Sequence, residues 1–266
     1  GTQTSDLAFG GSPGASPAVL AVTESYNGSS WTEVNDLNAS RRRISGNGTT
    51  TSALAAGGFE PPGVAKVESW NGSNWTEVGD LNQARSSAGQ AGADNTSSIV
   101  FGGSNPAGAL LALTETWNGS AWTEVNDLNT SGYGVTGVGI VTAALASDRA
   151  NASDVAQTVV ESWNGSSWTE VANLNTPRYY AGGSCSGTNT AALYFGGQAP
   201  GGVTAVNESW NGSSWTEIVD LSIARAGAGG SGIQSSALAF GGAPPYMNST
   251  EEFTNAANTT VTFTDS

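Results

Sequence analysis

The nonapeptide Ser209-Trp210-Asn211-Gly212-Ser213-Ser214-Trp215-Thr216-Glu217 recurs in near-copies at Tyr26–Glu33, Trp70–Glu77, Trp117–Glu124 and Trp163–Glu170. Its second aromatic falls at Trp31, Trp75, Trp122, Trp168 and Trp215, at spacings of 44, 47, 46 and 47 residues. A period of that size marks stacked units or propeller blades. Within each copy two apolar or β-branched runs flank Asn-Gly, the strongest short-range hairpin signal, because both residues tolerate the positive φ of a tight turn. The expected unit is strand, turn, strand, with the two aromatics as cross-strand neighbours.

Two further landmarks align with the hairpin. One is a short apolar strand ending in Gly-Gly, at Leu7–Gly11, Leu54–Gly58, Ile99–Gly103, Leu193–Gly197 and Leu238–Gly242. In the fourth unit Ser147-Asp148 replaces the pair. The other is a run with small residues at alternate positions, at Arg41–Gly48, Arg85–Gly92, Gly132–Gly139, Arg178–Cys185 and Arg225–Gly232. Such a run suits a crowded innermost strand beside a central channel.

Composition agrees with a chain of short strands. Of 266 residues 37 are Gly and only 11% are charged, and no segment carries a convincing helical period. The net charge of −14 and a pI near 4.1 argue against nucleic acid or an anionic membrane as partner, since phosphate binding rests on clustered Lys and Arg. There are eight such residues, and the one cluster, Arg41-Arg42-Arg43, reads as a solvated strand edge. A single cysteine, Cys185, excludes an intrachain disulfide framework, and without histidine the usual zinc sets cannot form. No long apolar run or signal peptide is visible, so the chain as given is expected to be soluble, with no membrane insertion and no cofactor.

Taken in order, small-residue strand, diglycine strand and two Trp strands, the unit resembles the kelch repeat, with Arg85, Gly102-Gly103, Trp117 and Trp122 in the family's order. The resemblance implies an all-β fold, a single β-propeller over 1–266 with four antiparallel strands per blade. The approximate blades are 1–38, 39–82, 83–129, 130–175, 176–222 and 223–266, the first lacking its inner strand; five blades plus a cap is the alternative. Departures are the lost diglycine at Ser147-Asp148, Gly132 in place of Arg, and Tyr26, Phe253 and Thr259 at Trp positions. The copper chemistry of kelch-containing oxidases does not carry over, because no histidine is present to hold the metal.

In an up-and-down blade the Asn-Gly turns share one face with the loops between strands one and two. The loops at 12–22, 59–67, 104–113, 148–159, 198–206 and 243–249 share the other, and they vary most from unit to unit. A varied face is where binding is encoded. There Arg41, Arg85, Arg178 and Arg225 are expected to form a partial ring of guanidinium groups suited to the carboxylates or sulfates of an acidic glycan, or else to pair with Asp36, Asp80 or Asp220. The non-recurring Tyr133, Tyr179, Tyr180 and Tyr246 are the aromatic candidates for ligand contact. The recurrent tryptophans read as inter-blade packing, with sugar stacking as the alternative.

Repeated glutamates such as Glu24, Glu68, Glu115, Glu161 and Glu208 read as structural, because catalysis needs one asymmetric pair. Glu60, Asp148 and Asp154 do not repeat and leave a glycosidase or lyase on acidic polysaccharide as a second reading, with a kelch-type adaptor as a third. Asn27, Asn71, Asn118, Asn164 and Asn211 head Asn-X-Ser triplets at the hairpin tips, where a glycosylating host would find exposed acceptors. The leading expectation is a non-enzymatic module, extracellular or on a virion surface. Kelch-like repeats of phage tail fibres and bacterial surface proteins are similar in composition. Its partner would be a glycan or a protein, and it could act as a homo-oligomer or within a larger surface assembly.

Overall fold

The computed structural model describes residues 1–14, 18–256 and 260–265. Residues 15–17 of the first variable loop, and Thr259, lie outside the described residues. The chain folds as six antiparallel sheets, and the described residues contain no helix. Blade 1 has three strands, Asp6–Phe9, Thr23–Tyr26 and Trp31–Val34. Blade 2 has Ser45–Thr49, Ser52–Ala56, Val67–Trp70 and Trp75–Glu77. Blade 3 has Gly89–Asp94, Ser97–Phe101, Thr114–Trp117 and Trp122–Val125. Blade 4 has Thr136–Ile140, Ala143–Ser147, Glu161–Trp163 and Trp168–Glu170. Blade 5 has Gly182–Gly183, Ala192–Phe195, Asn207–Trp210 and Trp215–Ile218, with a small accessory hairpin of Gln198–Ala199 and Gly202–Val203. Blade 6 has Gly229–Ile233, Ser236–Phe240, Thr250–Ala256 and Thr260–Asp265. This is a six-bladed β-propeller, and five blades with a cap is set aside.

The aromatic pairs sit opposite one another, Trp210 with Trp215 and Tyr26 with Trp31 among them. The turn between them works differently from the expectation. Only the glycine takes positive φ, 93° at Gly212. The asparagine acts through its side chain, Asn211 Oδ1 accepting the N–H groups of Ser213 and Ser214 at 2.9 Å.

The indoles hold the blades together. The first Trp of each hairpin donates Nε1–H to the inner turn of its own blade, as Trp70 does to Thr50 O and Trp163 to Val141 O. The second Trp donates to the preceding blade: Trp75 to Thr23 Oγ1, Trp122 to Gly79 O, Trp168 to Thr114 Oγ1 and Trp215 to Ala172 O. Both indoles of blades 2 to 5 are buried, which answers the sugar-platform alternative. A fully buried large apolar side chain contributes about 1.5–3 kcal/mol, and a satisfied indole N–H removes the desolvation cost that would offset it. The same contact closes the ring: Trp31 donates to Thr250 Oγ1 at 2.9 Å and packs on Phe240 at 5.0 Å, and Tyr26 OH donates to Glu252 Oε1.

A second repeated device is a buried clasp. Arg41 donates to Glu68 Oε1 at 2.7 Å and to the carbonyls of Gly57 and Lys66, while Glu68 Oε2 accepts both the backbone N–H and the amide of Asn38. Arg85, Glu115 and Asn82 repeat it in blade 3, and Arg178, Glu208 and Asn175 in blade 5. In blade 6 Arg225 and Glu251 keep the ion pair, and the N–H of Ser222 stands for the asparagine. In blades 2, 3, 5 and 6 the clasp ties the connection entering the blade to that blade's third strand.

Blade 4 lost both its Arg, at Gly132, and its diglycine, yet the clasp is present. The diglycine's place is held by Asp148-Arg149 and not by Ser147-Asp148, because Ser147 pairs with Thr136 as Ala56 pairs with Ser45. Arg149, in the second glycine's place, donates to Glu161 Oε1 at 2.9 Å and to Thr130 O, and Asn129 completes the set. Glycine at 132 is required by this exchange, since a Cβ there would lie 2.8 Å from Arg149 Cβ. Asp148 takes the first glycine's left-handed conformation, φ 51°. Its carboxylate is fully buried with no hydrogen-bond donor, and its nearest ion-pair contact is Arg178 Nε at 3.9 Å.

Blade 4 is open to two tests. Arg149→Gly strands Glu161 without its counter-charge and lowers stability by about 3–5 kcal/mol. Gly132→Arg alone is also destabilising, but the double change G132R/R149G recovers most of the loss in urea unfolding; additive losses would refute the exchange. Burial pushes the Asp148 carboxyl from 3.8 to about 6, against the pull of Arg178. A folded-state pKa above the unfolded one gives stability that is full below pH ~4 and is lost as pH rises through about 6. Asp148→Asn therefore gains on the parent by up to ~3 kcal/mol between pH 4.5 and pH 8, and an unchanged difference at the two pH values would disprove it.

Candidate functional site

The four arginines expected to ring the channel mouth do not present free guanidinium groups there. Arg41, Arg85, Arg178 and Arg225 are at most 1% exposed, and each is spent in a clasp. The reason is geometric: the side chain turns back under the diglycine and meets the strand-three glutamate. Their partners are Glu68, Glu115, Glu208 and Glu251, and not the aspartates of the preceding connection. Asp36 instead accepts the N–H of Thr23. For Arg41, Arg85 and Arg149, burial lowers the pKa and the paired glutamate pulls it back.

The clasp also sets the course of the chain beyond it. Two residues past each arginine position stand Arg43, Ser87, Gly134, Tyr180 and Gly227, and all five adopt left-handed φ, between 54° and 69°. Their backbones form an arc of hydrogen bonds around the mouth. Ser87 N donates to Arg43 O, Gly134 N to Ser87 O, Tyr180 N to Gly134 O and Gly227 N to Tyr180 O, at 2.8–3.1 Å. Glycine suits this conformation, and three of the five are not glycine. Each such residue carries strain on the order of 1–2 kcal/mol, held by the arc.

That strain aims side chains into a cavity of about 1000 Å³ at the mouth, on the face of the variable loops. Tyr180 shares a 2.9 Å hydrogen bond with Ser87 Oγ, and the Arg43 guanidinium lies 5.8 Å from its ring centroid. Arg42 also lines the cavity, its guanidinium 5.1 Å from the Phe59 ring. Among the described residues Arg42 and Arg43 are the two basic side chains with no carboxylate within ion-pair distance; Lys66 pairs with Glu60 at 3.1 Å. Tyr246, 58% exposed, lines the same cavity from the loop after blade 6's diglycine.

Tyr133 and Tyr179 stand behind Tyr180, each with its ring centroid within 6 Å of it. Tyr133 OH donates to Asp154 Oδ1 at 2.7 Å, and burial with that bond raises its pKa. The structure therefore brings Tyr133, Tyr179 and Tyr180 into one cluster, of which Tyr180 reaches the cavity. The non-repeated carboxylates do not converge on it: Glu60 is held by Lys66, Asp154 by Tyr133, and Asp148 is enclosed. Sequence reading missed Arg42 and Arg43 as site residues. Their signal was that they break the repeat, standing where Ser86-Ser87 and Tyr179-Tyr180 stand elsewhere.

No protein-family model and no curated protein matches this chain. Among solved structures it is similar to one titled "Structure of YjhT", at 12% sequence identity and a TM-score of 0.77, over 92% of this chain and 91% of that one. At that identity the likeness concerns the fold, a six-bladed propeller closed on itself along nearly the whole chain.

Proposed function

We propose that the protein is a non-enzymatic binding module, a kelch-like propeller on a virion or extracellular surface, that takes an anionic group of a glycan at the mouth cavity. One observation carries this reading: in a chain of net charge −14, the two basic side chains left without an acidic partner stand together in one cavity beside an oriented tyrosine. Arg42 and Arg43 would meet a carboxylate or sulfate by charge-assisted hydrogen bonds. Tyr180 and Tyr246 offer faces for a sugar ring, and the variable loops around them would set which sugar fits. The acidic remainder of the surface would suppress nonspecific adhesion to other anions. Several copies on one particle would raise a weak single-site affinity through avidity.

A hydrolytic reading has less support, because catalysis needs two carboxylates facing the substrate: among the described residues Glu24 is the one carboxylate lining the cavity, while Glu60 and Asp154 are paired and Asp148 is enclosed. Binding to an array of neutral, carboxylated and sulfated glycans tests the proposal. Signal is expected on the acidic members, weakened at least tenfold by R42A/R43A and by raising salt from 50 to 500 mM. Tyr180→Phe, which removes only the hydroxyl held by Ser87, is expected to cost a few-fold. Equal binding by the parent and the double variant, or product release from any acidic polysaccharide, would overturn it.

A further inference from the structure

Outside the left-handed arc the mouth carries a second one. One residue past each arginine position stand Arg42, Ser86, Tyr133, Tyr179 and Ala226. Each is bridged through its backbone to the residue that follows the diglycine's place: Phe59, Ser104, Ala150, Gln198 and Ala243. Backbone bonds again fix the place and leave the side chain open. Blade 2 fills the two arcs with Arg42 and Arg43, and blade 5 fills them with Tyr179 and Tyr180. Blade 4 supplies Tyr133 and Gly134. A Cβ at Gly134 would lie 3.1 Å from Tyr179 Cδ2 and 3.3 Å from Tyr180 Cδ1, so glycine lets both rings close over blade 4.

These three rings are not blade-face packing. The indoles of blades 2 to 5 recur and are buried, whereas Tyr133, Tyr179 and Tyr180 stand where other blades have arginine, serine, alanine or glycine, and all three are partly exposed. Beside them lies Asp154, on a loop with the same hydrogen bonds as the loop of blade 3. Asn151 Oδ1 accepts the N–H groups of Ser153 and Val155, and Asp154 N donates to Asn151 O. In blade 3 Asn105 Oδ1 accepts those of Ala107 and Ala109, and Gly108 N donates to Asn105 O. Asp154 therefore holds the left-handed place of Gly108, at φ 58° against 83°. Glycine would sit there without strain. The aspartate instead sets an exposed carboxylate against the tyrosines: Oδ1 accepts from Tyr133 OH, and Oδ2 has no protein donor among the described residues.

The spacing relates this cluster to the anion site. From the Arg43 guanidinium to the Tyr180 ring is 5.8 Å, and from Tyr180 to Tyr179 and Tyr133 is a further 5.3 and 5.8 Å. Each step is close to the length of one pyranose ring. An acidic unit held by Arg42 and Arg43 would thus have its chain neighbour over the tyrosines. There the aromatic faces suit the C–H face of a sugar. The Asp154 carboxylate accepts sugar hydroxyls and repels a second carboxylate or sulfate.

We propose, resting on the anion-site reading above, that Tyr133, Tyr179 and Asp154 form a second subsite that takes a neutral pyranose. The ligand is then an oligosaccharide in which acidic and neutral units alternate, and the excluded class is the polyacid whose every unit is charged.

The test is isothermal titration calorimetry of the full chain with three probes. They are glucuronic acid, a hyaluronan tetrasaccharide, in which glucuronate alternates with N-acetylglucosamine, and tetragalacturonate, in which every unit is acidic. The alternating tetrasaccharide is expected to bind roughly tenfold more tightly than tetragalacturonate. Asp154→Gly, which copies Gly108 and so keeps the loop, should narrow that preference to about twofold by weakening the first and strengthening the second. Glucuronic acid gauges the anion site by itself, and R42A/R43A should weaken all three probes. Equal affinity of the parent for the two tetrasaccharides, or an unchanged preference in Asp154→Gly, would overturn the second subsite while glucuronic acid binding left the anion site standing. Failure of all three probes to bind would overturn both.

Discussion

The buried ion pair between a clasp arginine and a strand-three glutamate is the constraint that shapes the working surface. Two charges at 0–1% exposure are costly to desolvate, and here each glutamate oxygen is met, one by the guanidinium and one by the asparagine amide and N–H of the connection. The arginine's remaining donors reach carbonyls of the diglycine strand and the loop beyond it. An apolar replacement of both partners could be as stable. It could not fix the direction in which the chain leaves the clasp. That direction is what the five blades share, and it brings the residue two places later to the mouth in a left-handed conformation.

The tryptophans solve a separate problem. A three- or four-stranded blade has two faces to cover and few residues with which to cover them, so each indole covers a face and uses its N–H to specify which neighbour it covers. First-Trp bonds stay within the blade and second-Trp bonds cross to the preceding one. Trp31 makes the same crossing to blade 6, so the outer wall runs from blade to blade around the ring. Wall and channel are thus separately determined.

The fold was legible because its determinants recur. The Asn-Gly hairpins, the diglycine strands and the small-residue strands each appear in register at a period near 46 and formed hairpins and strands. Each inner strand, however, begins four residues after its arginine position and leaves that residue in the connection. The site was less legible for two physical reasons. The arginines recur too, and recurrence alone does not say whether a cation faces solvent or a glutamate; the glutamates recurred at the matching spacing, and pairing the two series would have shown the clasp. The left-handed positions could not be read at all, because Arg43, Ser87 and Tyr180 carry none of the glycine signal that Gly134 and Gly227 do, and only the backbone arc explains why they stand there. Blade 4 makes the same point from the other side. Its missing arginine and missing diglycine read as two defects, yet they are one exchange, since Arg149 can reach Glu161 only where a glycine has been given up and only where Gly132 leaves room.

The division between repeated and unrepeated residues also decides where new chemistry can arise in such a ring. A residue that enters a clasp or covers a blade face is answerable to partners on two or three elements, so changing it costs stability at each of them. A residue in the arc is held through its backbone, and its side chain is free within the limits of the left-handed conformation. Arg43, Ser87 and Tyr180 differ in charge, size and hydrogen bonding, yet they use the same N–H and carbonyl bonds. The backbone arc therefore separates position from identity: it carries the strain of a non-glycine residue at each site and leaves the side chain to be chosen for what enters the mouth.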